Sequence, residues 1–526
     1  MGWITNAANN VYYTFFPGDG SGYSSGEMVR GALAYQVGLT LVLLWVVRLL
    51  YLKFCLPVSK LPAPWYVGLT ELDLIIRLLS GRSFAILHRR HCRYGPIMRI
   101  GTWSVSISDC KLAKELLATH AFRKPSNIYE IFFQIYLPNI FTTSDPVFHR
   151  KRKRMLAPVF SWQSLHQVEG LIVEEGVQPL LDKFQSLPQG AEVNLYQEFL
   201  GLTYDVIGRL AFGESFGVIL RGDRTVIDEF TQLFQYLTVV RLFPFLKGRR
   251  VPFIPFLRRG YDSEQSIVKK ACRAVEKRLE WLASTDQPPP QDTLQLMIDS
   301  VDPETGDKLN PAELGSESIV QLIGGTDTTA HGLTWVFYAM LSHPGCYQRV
   351  VDEILEEFPL STSERSPSVI SFDAIKDKLP YLDAVIQEAL RVYPPVSLAV
   401  VRTIPDQGAT IGGYYIPPGY NLGIPVYSIN HSPLYWDKPN EFIPERWLEG
   451  DAAQMKQNTI TFLSGPRGCL GRNLAYMELY LTVANLLRNF HVKFVNPDNP
   501  DVEPVEFVTL RPKNRRLMTY VTPRTP

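Results

Sequence analysis

The stretch that decides the fold is Phe462–Gly471, which reads FLSGPRGCLG. Its glycines and its proline predict a tight loop with Cys469 at the end, followed by a helical pattern over residues 473–487. Backbone N–H groups at the start of that helix would stabilise a thiolate and lower the pKa of Cys469. Arg467 adds a cation beside the loop, and Phe462 adds an aromatic ring. One thiolate on such a loop suits a single axial bond to a metal held by a cofactor, and the alternative is a free cysteine in a turn.

The amino-acid composition limits the classes of protein to which this chain can belong. The chain has 526 residues, of which 46% are hydrophobic and 20% are charged, as expected of a globular protein with a large core. Its six cysteines are scattered, with no zinc-type spacing and too few members for a disulfide framework. We therefore expect five of them to be plain thiols in a reducing compartment. A formal net charge of +1 gives no overall attraction to nucleic acid.

The pattern F-x-x-G-x-R-x-C-x-G in this loop resembles the haem-ligand signature of the cytochrome P450 family. Three further motifs resemble that family and occur in its order: GGTDTT at Gly324–Thr329, EALR at Glu388–Arg391 and PERW at Pro444–Trp447. The resemblance runs from Trp65 to about Arg524 and implies haem b as the cofactor, with Cys469 as the iron ligand. The other haem-binding residues that it implies in this part of the chain are Phe462, Gly465, Arg467 and Arg402.

The paired glycines Gly324 and Gly325 fall inside a predicted helix over Ser316–Leu341. Each glycine destabilises a helix by about 1 kcal/mol, so two adjacent glycines inside a helix indicate a packing or functional requirement. Missing side chains let a helix approach a flat ligand, and local loosening opens its hydrogen-bond ladder. Asp327 and Thr328 would then supply an acid and an alcohol, which the resemblance assigns to proton delivery during oxygen activation. The alternative is a surface Asp-Thr pair on a poorly formed helix.

Glu388 and Arg391 are three residues apart and share one helix face, where they can pair. Most such pairs are exposed and contribute little to stability. The resemblance implies that Arg446 joins them in a buried network around the cysteine loop. We assign this network a structural role and do not count its members as catalytic.

The run His149–Arg154, HRKRKR, has two possible registers against the family's haem-propionate motif. Counting back from Pro158 places His149 and Lys153 at the binding positions, and the register one residue earlier places Phe148 and Arg152 there. We favour His149 and Lys153. The same basic run is also predicted to dock an acidic electron donor, and a solvated helix face is the plain alternative.

The N-terminal part predicts a membrane anchor. Gly31–Val47 is an uncharged run, and with its extension to residue 54 it is long enough to cross a bilayer. A core helix or a signal peptide is the alternative, although the segment before the run is too long for a signal peptide. Basic residues are more frequent after the run, which favours a cytosolic body on the endoplasmic reticulum membrane. The predicted order is a lumenal segment at 1–30, a transmembrane anchor at 31–54, a proline-rich stiff hinge at 55–65 and a cytosolic catalytic domain at 66–526.

Periodicity within the body predicts a mainly α fold with small β-sheets, an α+β architecture in one large domain. Helical periodicity marks Cys110–His120, Ser316–Leu341 and Tyr381–Tyr393. Alternating segments at Ile97–Ser108 and Ala409–Ile416 predict strands. This agrees with the cytochrome P450-like fold that the resemblance implies.

The predicted function is that of a haem-thiolate monooxygenase, which adds one oxygen atom of O2 to a lipophilic small molecule and reduces the other to water. The resemblance places three apolar segments around the substrate: Ile131–Phe141, Leu233–Leu257 and Val396–Val401. Secondary metabolism and the oxidation of lipids or xenobiotics are the expected settings. The hinged anchor is typical of a microsomal eukaryotic member, and His149 favours a fungal one.

Electrons are expected to come from NADPH through a separate cytochrome P450 reductase, with cytochrome b5 as a second candidate donor, because no flavin or nicotinamide motif follows Gly471. A haem-thiolate isomerase or dehydratase is an alternative, although the intact Asp327–Thr328 pair argues against it. A haem-binding sensor without turnover is the other alternative.

Overall fold

The computed structural model describes residues 25–132, 137–246, 248–360 and 369–525. Most of the predicted lumenal segment, residues 1–24, and part of the apolar segment Ile131–Phe141 lie outside these residues. The helices before the catalytic motifs are Ser25–Phe54, Leu72–Leu79, Ser83–Tyr94, Cys110–Leu117, Ser126–Phe132, Pro146–Leu156, Trp162–Ile172, Gln178–Gln185, Leu195–Phe212, Val218–Arg221, Thr225–Leu242, Pro255–Ser284 and Thr293–Asp299. Those that follow are Pro311–Gly325, Asp327–Leu341, Pro344–Glu357, Phe372–Lys378, Pro380–Val392, Val426–Asn430, Arg446–Glu449, Ala452–Gln457 and Arg472–Asn489.

Short strands make up the β portion. In chain order they are β1 Ile97–Arg99, β2 Ser104–Ile107, β3 Glu192–Asn194, β4 Ala399–Thr403, β5 Ala409–Ile411, β6 Tyr414–Ile416, β7 Asn421–Pro425, β8 Phe490–Phe494, β9 Pro504–Phe507, β10 Thr509–Pro512 and β11 Met518–Pro523. The largest sheet has the order β1-β2-β7-β4, and β3-β11-β8 form a second sheet. β5 pairs with β6 and β9 with β10 as antiparallel hairpins. The mainly α fold with small sheets is therefore confirmed.

The core is built around helix Asp327–Leu341. This helix packs against Leu195–Phe212, Pro380–Val392 and Arg472–Asn489. Nearly every residue of Leu195–Phe212 and Arg472–Asn489 is buried, polar ones included. A helix that is buried on all sides lies at the centre of a large protein. These central helices form the scaffold that carries the cysteine loop and the Asp-Thr pair.

The helix predicted over Ser316–Leu341 is interrupted. It forms as Pro311–Gly325 and Asp327–Leu341, and Thr326 between them has φ −81° and ψ −81°, outside the helical region. The Thr328 hydroxyl donates a hydrogen bond to the backbone carbonyl of Gly324, which lies next to the interruption of the helix. The expected loosening next to the paired glycines is therefore confirmed.

The anchor helix forms over Ser25–Phe54, and its part Arg30–Phe54 is long and apolar enough to cross a membrane by length and composition. The side chains of this span are largely exposed, with Leu41 at 61%. An apolar helix that buries so little of its surface in the protein fits a place in lipid better than a core position.

The hinge differs from the stiff extended spacer that its prolines predict. Pro57–Lys60 forms a 3-10 turn, and the side chains of Val58 and Leu61 are buried in a small core beside the largest sheet. The buried Arg99 donates to the carbonyls of Leu52 at 2.9 Å and Lys53 at 3.4 Å, in the last turn of the anchor helix. Burial of the apolar hinge residues outweighs the preference of proline for extended chain, so the hinge packs on the body.

Candidate active site

The cysteine loop has the tight geometry that its glycines predict. Gly465 adopts φ +71°, and a Cβ there would lie 2.1 Å from the carbonyl oxygen of Leu117, so only glycine fits. The loop closes through hydrogen bonds from the Cys469 N–H to the Phe462 carbonyl at 2.8 Å and from the Gly468 N–H to the Gly465 carbonyl at 3.1 Å. Cys469 thus sits at a fixed position just before helix Arg472–Asn489.

Cys469 lines a large internal cavity, so its side chain is accessible from the cavity although protein atoms surround the loop and desolvate the thiol. Burial raises the pKa of its thiol, and the Gly471 N–H and the Arg472 guanidinium offset this effect in part. The predicted lowering of this pKa is therefore wrong for the polypeptide alone. The sequence shows the donors, but the desolvation that outweighs them depends on the whole fold. A metal cation at the sulfur would reverse the balance, because a coordinating thiol is deprotonated.

The cavity has a volume of about 950 Å³, and its lining is mostly apolar. The three apolar segments that were predicted to surround the substrate all contribute to it within the described residues, through Ile140, Phe141, Phe234, Thr238, Phe256, Val396 and Leu398. Gly324, Asp327 and Thr328 also line the cavity, and so do Phe462 and Cys469. The fold therefore brings the two chemical motifs of the sequence into one chamber large enough for a cofactor and a lipophilic ligand.

Among the basic side chains that line the same cavity, five lie close enough to influence one another's pKa: Lys124, His149, Lys153, Arg402 and Arg467. Among the described residues none of the five forms an ion pair with a carboxylate. Burial and the neighbouring arginines hold the pKa of Lys124 well below its usual value, and burial together with Arg402 lowers the pKa of Arg467 to about 10. Burial and the surrounding cations lower the pKa of His149 to about 3. We call these five residues the cation cluster, in which the lowered pKa keeps the His149 imidazole neutral at pH 7.

The cation cluster has donors without acceptors. Within the part of the chain that the structure describes, Nη2 of Arg402 and Nδ1 of His149 are buried and have no hydrogen-bond partner. Lys153 and Lys124 donate to backbone carbonyls, of Pro466 at 2.8 Å and Phe141 at 2.5 Å. Buried charges are normally paired, so this cluster requires an anionic ligand. The two propionates of a haem meet that requirement, and they would lie in the cavity that Cys469 lines.

The two possible registers of the basic run differ in whether their side chains line the cavity. Arg152 turns away from the cavity and forms ion pairs with Glu313 at 2.6 Å and Glu317 at 3.3 Å. His149 and Lys153 face the cavity. The side chains of the favoured register thus line the cavity, and their binding of the propionates stays a prediction. Lys124 was missed, because it is isolated in the sequence and reaches the cluster only through the fold.

The predicted docking role of the basic run is weakened by ion pairs within the chain. Lys151 pairs with Asp307, and Arg154 pairs with Asp302 at 3.1 Å and Glu304 at 2.9 Å. Within the described part of the chain, Arg150 is the member of the run that stays exposed without such a pair or a place in the cluster. The run is mostly neutralised at the surface and does not form a free basic face.

Asp327 and Thr328 begin the helix that follows the interruption. Burial raises the pKa of Asp327 to about 6, although a hydrogen bond from Tyr204 and the charges of Arg511 and Arg515 act in the opposite direction. The Tyr204 hydroxyl lies 3.4 Å from Oδ1 of Asp327. An acid with this pKa exchanges protons readily near neutral pH. Tyr204 was not predicted, because no motif marks it.

The structural network predicted around Glu388 is present. Arg391 makes a two-pronged ion pair with Glu388, at 2.7 and 2.8 Å, and Arg446 adds a third contact at 3.1 Å. Trp447 donates to the same carboxylate at 2.8 Å, and Arg391 also donates to three backbone carbonyls. Glu388 and Arg391 are completely buried. Both arginines here have a carboxylate partner, as a structural role requires, although Nη2 of Arg446 has no hydrogen-bond partner among the described residues.

Comparison with known proteins agrees with this geometry. A family model described as cytochrome P450 matches residues 60–518. The chain is 30% identical over 450 residues to cytochrome P450 monooxygenase helB1 of Aspergillus fumigatus, covering 85% of this chain and 76% of that protein. It is also 30% identical over 494 residues to cytochrome P450 monooxygenase lcsI of Purpureocillium lilacinum, covering 89% and 90% of the two chains. For cytochrome P450 monooxygenase gsfF of Penicillium aethiopicum the identity is 29%, over 85% of this chain and 90% of that protein.

The chain belongs to the cytochrome P450 family. Members of this family bind a haem whose iron is held by a cysteine thiolate, and they generally use a redox partner and lipophilic substrates. The class defined by the fold, the cavity and these relatives is that of a haem-thiolate monooxygenase.

Proposed function

We propose that this protein is a membrane-anchored monooxygenase that oxidises a lipophilic small molecule, with haem held by Cys469 and the cation cluster. The observation that carries this proposal is the combination of one cysteine, the cation cluster, which has no carboxylate ion pair among the described residues, and an apolar chamber in a single cavity of about 950 Å³. A free cysteine in a turn would not require the cations, and a plain hydrophobic core would exclude them.

Each part of the site has its own task. Cys469 would hold the haem iron through its thiolate, and the loop that Gly465 permits fixes the position of the sulfur. Lys124, Arg402 and Arg467 would bind the propionates, with Lys153 and His149 as further donors. Phe462 would pack its ring beside the cofactor. When bound, the haem activates O2 and oxidises the substrate, while the protein binds, orients and excludes water.

Asp327 and Thr328 would hold and pass protons at the wall of the cavity, where the bound haem would activate O2. Asp327 holds a proton below about pH 6 and releases it above that value. Thr328 lines the cavity beside it, and its hydroxyl is oriented by the carbonyl of Gly324. Tyr204 positions the Asp327 carboxylate through its hydroxyl. Thr326, just before the pair, has non-helical backbone angles, and both Asp327 and Thr328 line the chamber.

The substrate class follows from the lining of the chamber, which is apolar and rich in aromatic rings. We infer a lipophilic metabolite, in secondary metabolism, as the substrate. We propose that the anchor helix holds the body at the cytosolic face of the endoplasmic reticulum membrane, where oily compounds collect. A separate NADPH-dependent cytochrome P450 reductase supplies the electrons, with cytochrome b5 as a second donor.

The test is to compare Cys469→Ser with Cys92→Ser, an exposed cysteine outside the cavity. We expect Cys469→Ser to lose the thiolate-type carbon monoxide difference spectrum of the reduced protein, while Cys92→Ser keeps it. Haem content and product formation with added reductase are measured on the same samples. A thiolate spectrum that survives in Cys469→Ser would contradict the assignment.

A further inference from the structure

The cavity wall carries two further basic side chains that do not belong to the cation cluster. Arg511 lies in strand β10, and Arg515 follows shortly after the end of that strand. Both line the cavity, and burial together with the charge of Arg515 lowers the pKa of Arg511. The other ionisable groups that act on Arg511 are Tyr196 and Asp327, so the cation cluster and its ligand do not neutralise this region. We call Arg511 and Arg515 the arginine pair.

The arginine pair has no carboxylate ion pair within the described ranges of the chain, in contrast to a basic neighbour. Lys513, between the two arginines in sequence, pairs with Glu503 at 3.0 Å. Arg516, the next residue, is exposed to solvent. Arg511 and Arg515 are instead half-buried at the cavity wall, where solvent screens a charge less than at the open surface. Two neighbouring cations in such a place call for an anionic ligand.

The ionisable groups around the arginine pair leave an excess of positive charge. Burial raises the pKa of Asp327 to about 6, and this carboxyl forms no ion pair with either arginine among the residues that the structure describes. Burial and the two arginines lower the pKa of His331 to about 3, so its imidazole is neutral. Tyr196, whose hydroxyl lies 3.2 Å from Nε2 of His331, is neutral as well, because burial raises its pKa. Even with Asp327 ionised, one positive charge remains, and one carboxylate would balance it.

Contacts within the chain hold the arginine pair at the cavity wall. The Arg515 N–H donates to the Pro512 carbonyl at 3.1 Å, and the Arg515 carbonyl accepts from the Asn194 side chain at 3.2 Å. The φ of Arg515 is +52°, a left-handed conformation that few residues other than glycine adopt. The Arg511 guanidinium lies 5.3 Å from the ring centroid of Phe507, which also lines the cavity. The pair is therefore positioned before any ligand binds, which lowers the entropic cost of binding.

We propose that the arginine pair binds the carboxylate of a lipophilic acid, and that the substrate of this protein carries such an acid group. The inference rests on the proposed function and narrows its substrate class from lipophilic molecules in general to those with one anionic end. Guanidinium groups match the two oxygens of a carboxylate, and the apolar chamber accepts the hydrocarbon part. An acid held at one end presents a fixed part of its skeleton for oxidation, so the pair would set the position of the reaction.

A role towards Asp327 alone is the competing explanation of the arginine pair, since both arginines lower the pKa of that carboxyl. Such a role would be served by a direct ion pair, as Arg152 forms with the buried Glu317 at 3.3 Å. The group that contacts Oδ1 of Asp327 is instead the Tyr204 hydroxyl, at 3.4 Å. Binding of a substrate acid explains why two arginines line the cavity without a carboxylate partner in the described structure.

The experiment measures the binding of oleic, abietic and lithocholic acids and of their methyl esters to the purified holoprotein by equilibrium dialysis. Each acid and its ester share one hydrocarbon skeleton and differ in the charge at one end. Binding is measured rather than turnover, because removal of either arginine also changes the pKa of Asp327. Inorganic phosphate is added as a competitor, to separate a site for substrate acids from a site for free anions.

Two variants remove one charge each from the arginine pair. Arg511→Met keeps much of the side-chain volume, and Arg515→Asn suits the left-handed backbone at that position. Arg516→Met is the matched control, because Arg516 is exposed in the same turn and does not line the cavity. Arg511→Lys keeps the charge but loses the planar fork, and it replaces Arg511→Met if that variant does not fold.

We expect at least one acid to bind the wild type about tenfold or more tightly than its ester, as for a hydrogen bond between charged groups. Arg511→Met and Arg515→Asn should each remove about tenfold of this preference and leave the ester unaffected, Arg511→Lys should remove part of it, and Arg516→Met should match the wild type. Acids that bind no more tightly than their esters would overturn the proposal. Equal losses in Arg516→Met, or displacement of the acid by an equal concentration of phosphate, would also overturn it.

Failure of this proposal and failure of the proposed function give different results. A thiolate-type carbon monoxide spectrum in a protein that does not prefer acids overturns the role of the arginine pair alone. Absence of that spectrum in a protein that prefers acids overturns the proposed function, while the binding of a lipophilic acid by the pair stands.

Discussion

The Glu388 network and the cation cluster are two buried groups of basic side chains in one protein, and they differ in their partners. Around Glu388, both arginines contact a carboxylate of the chain. In the cation cluster, the described residues supply backbone carbonyls but no carboxylate ion pair. A buried ion-pair network stabilises the fold only when all of its charged members are present. A buried charge that has no partner within the protein marks a binding site for an oppositely charged ligand. The contrast separates structural residues from ligand-binding ones without reference to any motif.

The largest effect is expected from breaking the paired network. Glu388→Ala leaves Arg391 and Arg446 without their carboxylate, and we expect a loss of about 3–5 kcal/mol in the free energy of unfolding. Denaturant unfolding of the purified protein measures this change. Glu503→Ala, which removes an exposed carboxylate paired with exposed cations, is the control and should cost about 1 kcal/mol or less. Equal losses in the two variants would remove the distinction between buried and exposed pairs.

Removing a charge from the cation cluster should leave the stability of the apoprotein unchanged or higher and should weaken the binding of haem. Arg402→Met removes one of several repelling charges, so the apoprotein should unfold at an equal or higher denaturant concentration. Haem binding should weaken by about 1.5–3 kcal/mol, the usual worth of a hydrogen bond to a charged group. Transfer of haem to an excess of a tighter-binding acceptor protein measures the dissociation rate. An apoprotein that is destabilised as much as by Glu388→Ala, with unchanged haem release, would show that Arg402 is structural.

Substitution of Asp327 tests whether a buried carboxyl without an ion-pair partner among the described residues takes part in proton delivery. We expect Asp327→Asn to lower the rate of product formation by about 10²-fold, the lower end of the contribution of a proton-transfer group. Thr328→Ala should mainly lower the yield of product per electron consumed. Product and NADPH oxidation are measured together, and an unchanged product yield per electron in Thr328→Ala would contradict the relay.

The pH dependence of stability gives the smallest expected effect. The folded-state pKa of Asp327, about 6, is raised above its ordinary value of 3.8 by burial. The folded state therefore binds this proton more tightly, and the stability that it contributes at low pH is lost as the pH rises from about 4 through about 6. Asp327→Asn should reduce this decrease in the free energy of unfolding. A wild-type and a variant profile of the same shape between these pH values would show that Asp327 does not titrate as described.

The sequence was sufficient wherever the signal is local. The loop at Phe462–Gly471, the opening beside Gly324 and Gly325, and the Glu388–Arg391 pair follow from short motifs whose geometry is set by neighbouring residues. Residues that meet only through the fold were missed. Lys124 and Arg402 are separated by about half of the chain, and no pattern in the sequence indicates that they line the same cavity.

The direction of the Cys469 pKa shows the same limit. The helix start and the nearby cations are visible in the sequence, and each favours the thiolate. The loss of water around the sulfur is a property of the whole chamber, and it outweighs them. The packing of the hinge on the body is a second case, because Val58 and Leu61 find their apolar partners only after the sheet has formed.

Iron K-edge X-ray absorption of the purified holoprotein tests the central claim most directly, because it reports the atoms bound to the iron. We expect one sulfur ligand at the iron in the wild type and in Cys92→Ser, and none in Cys469→Ser. An iron site with only nitrogen and oxygen ligands in the wild type would contradict the account, and so would a sulfur ligand that persists in Cys469→Ser.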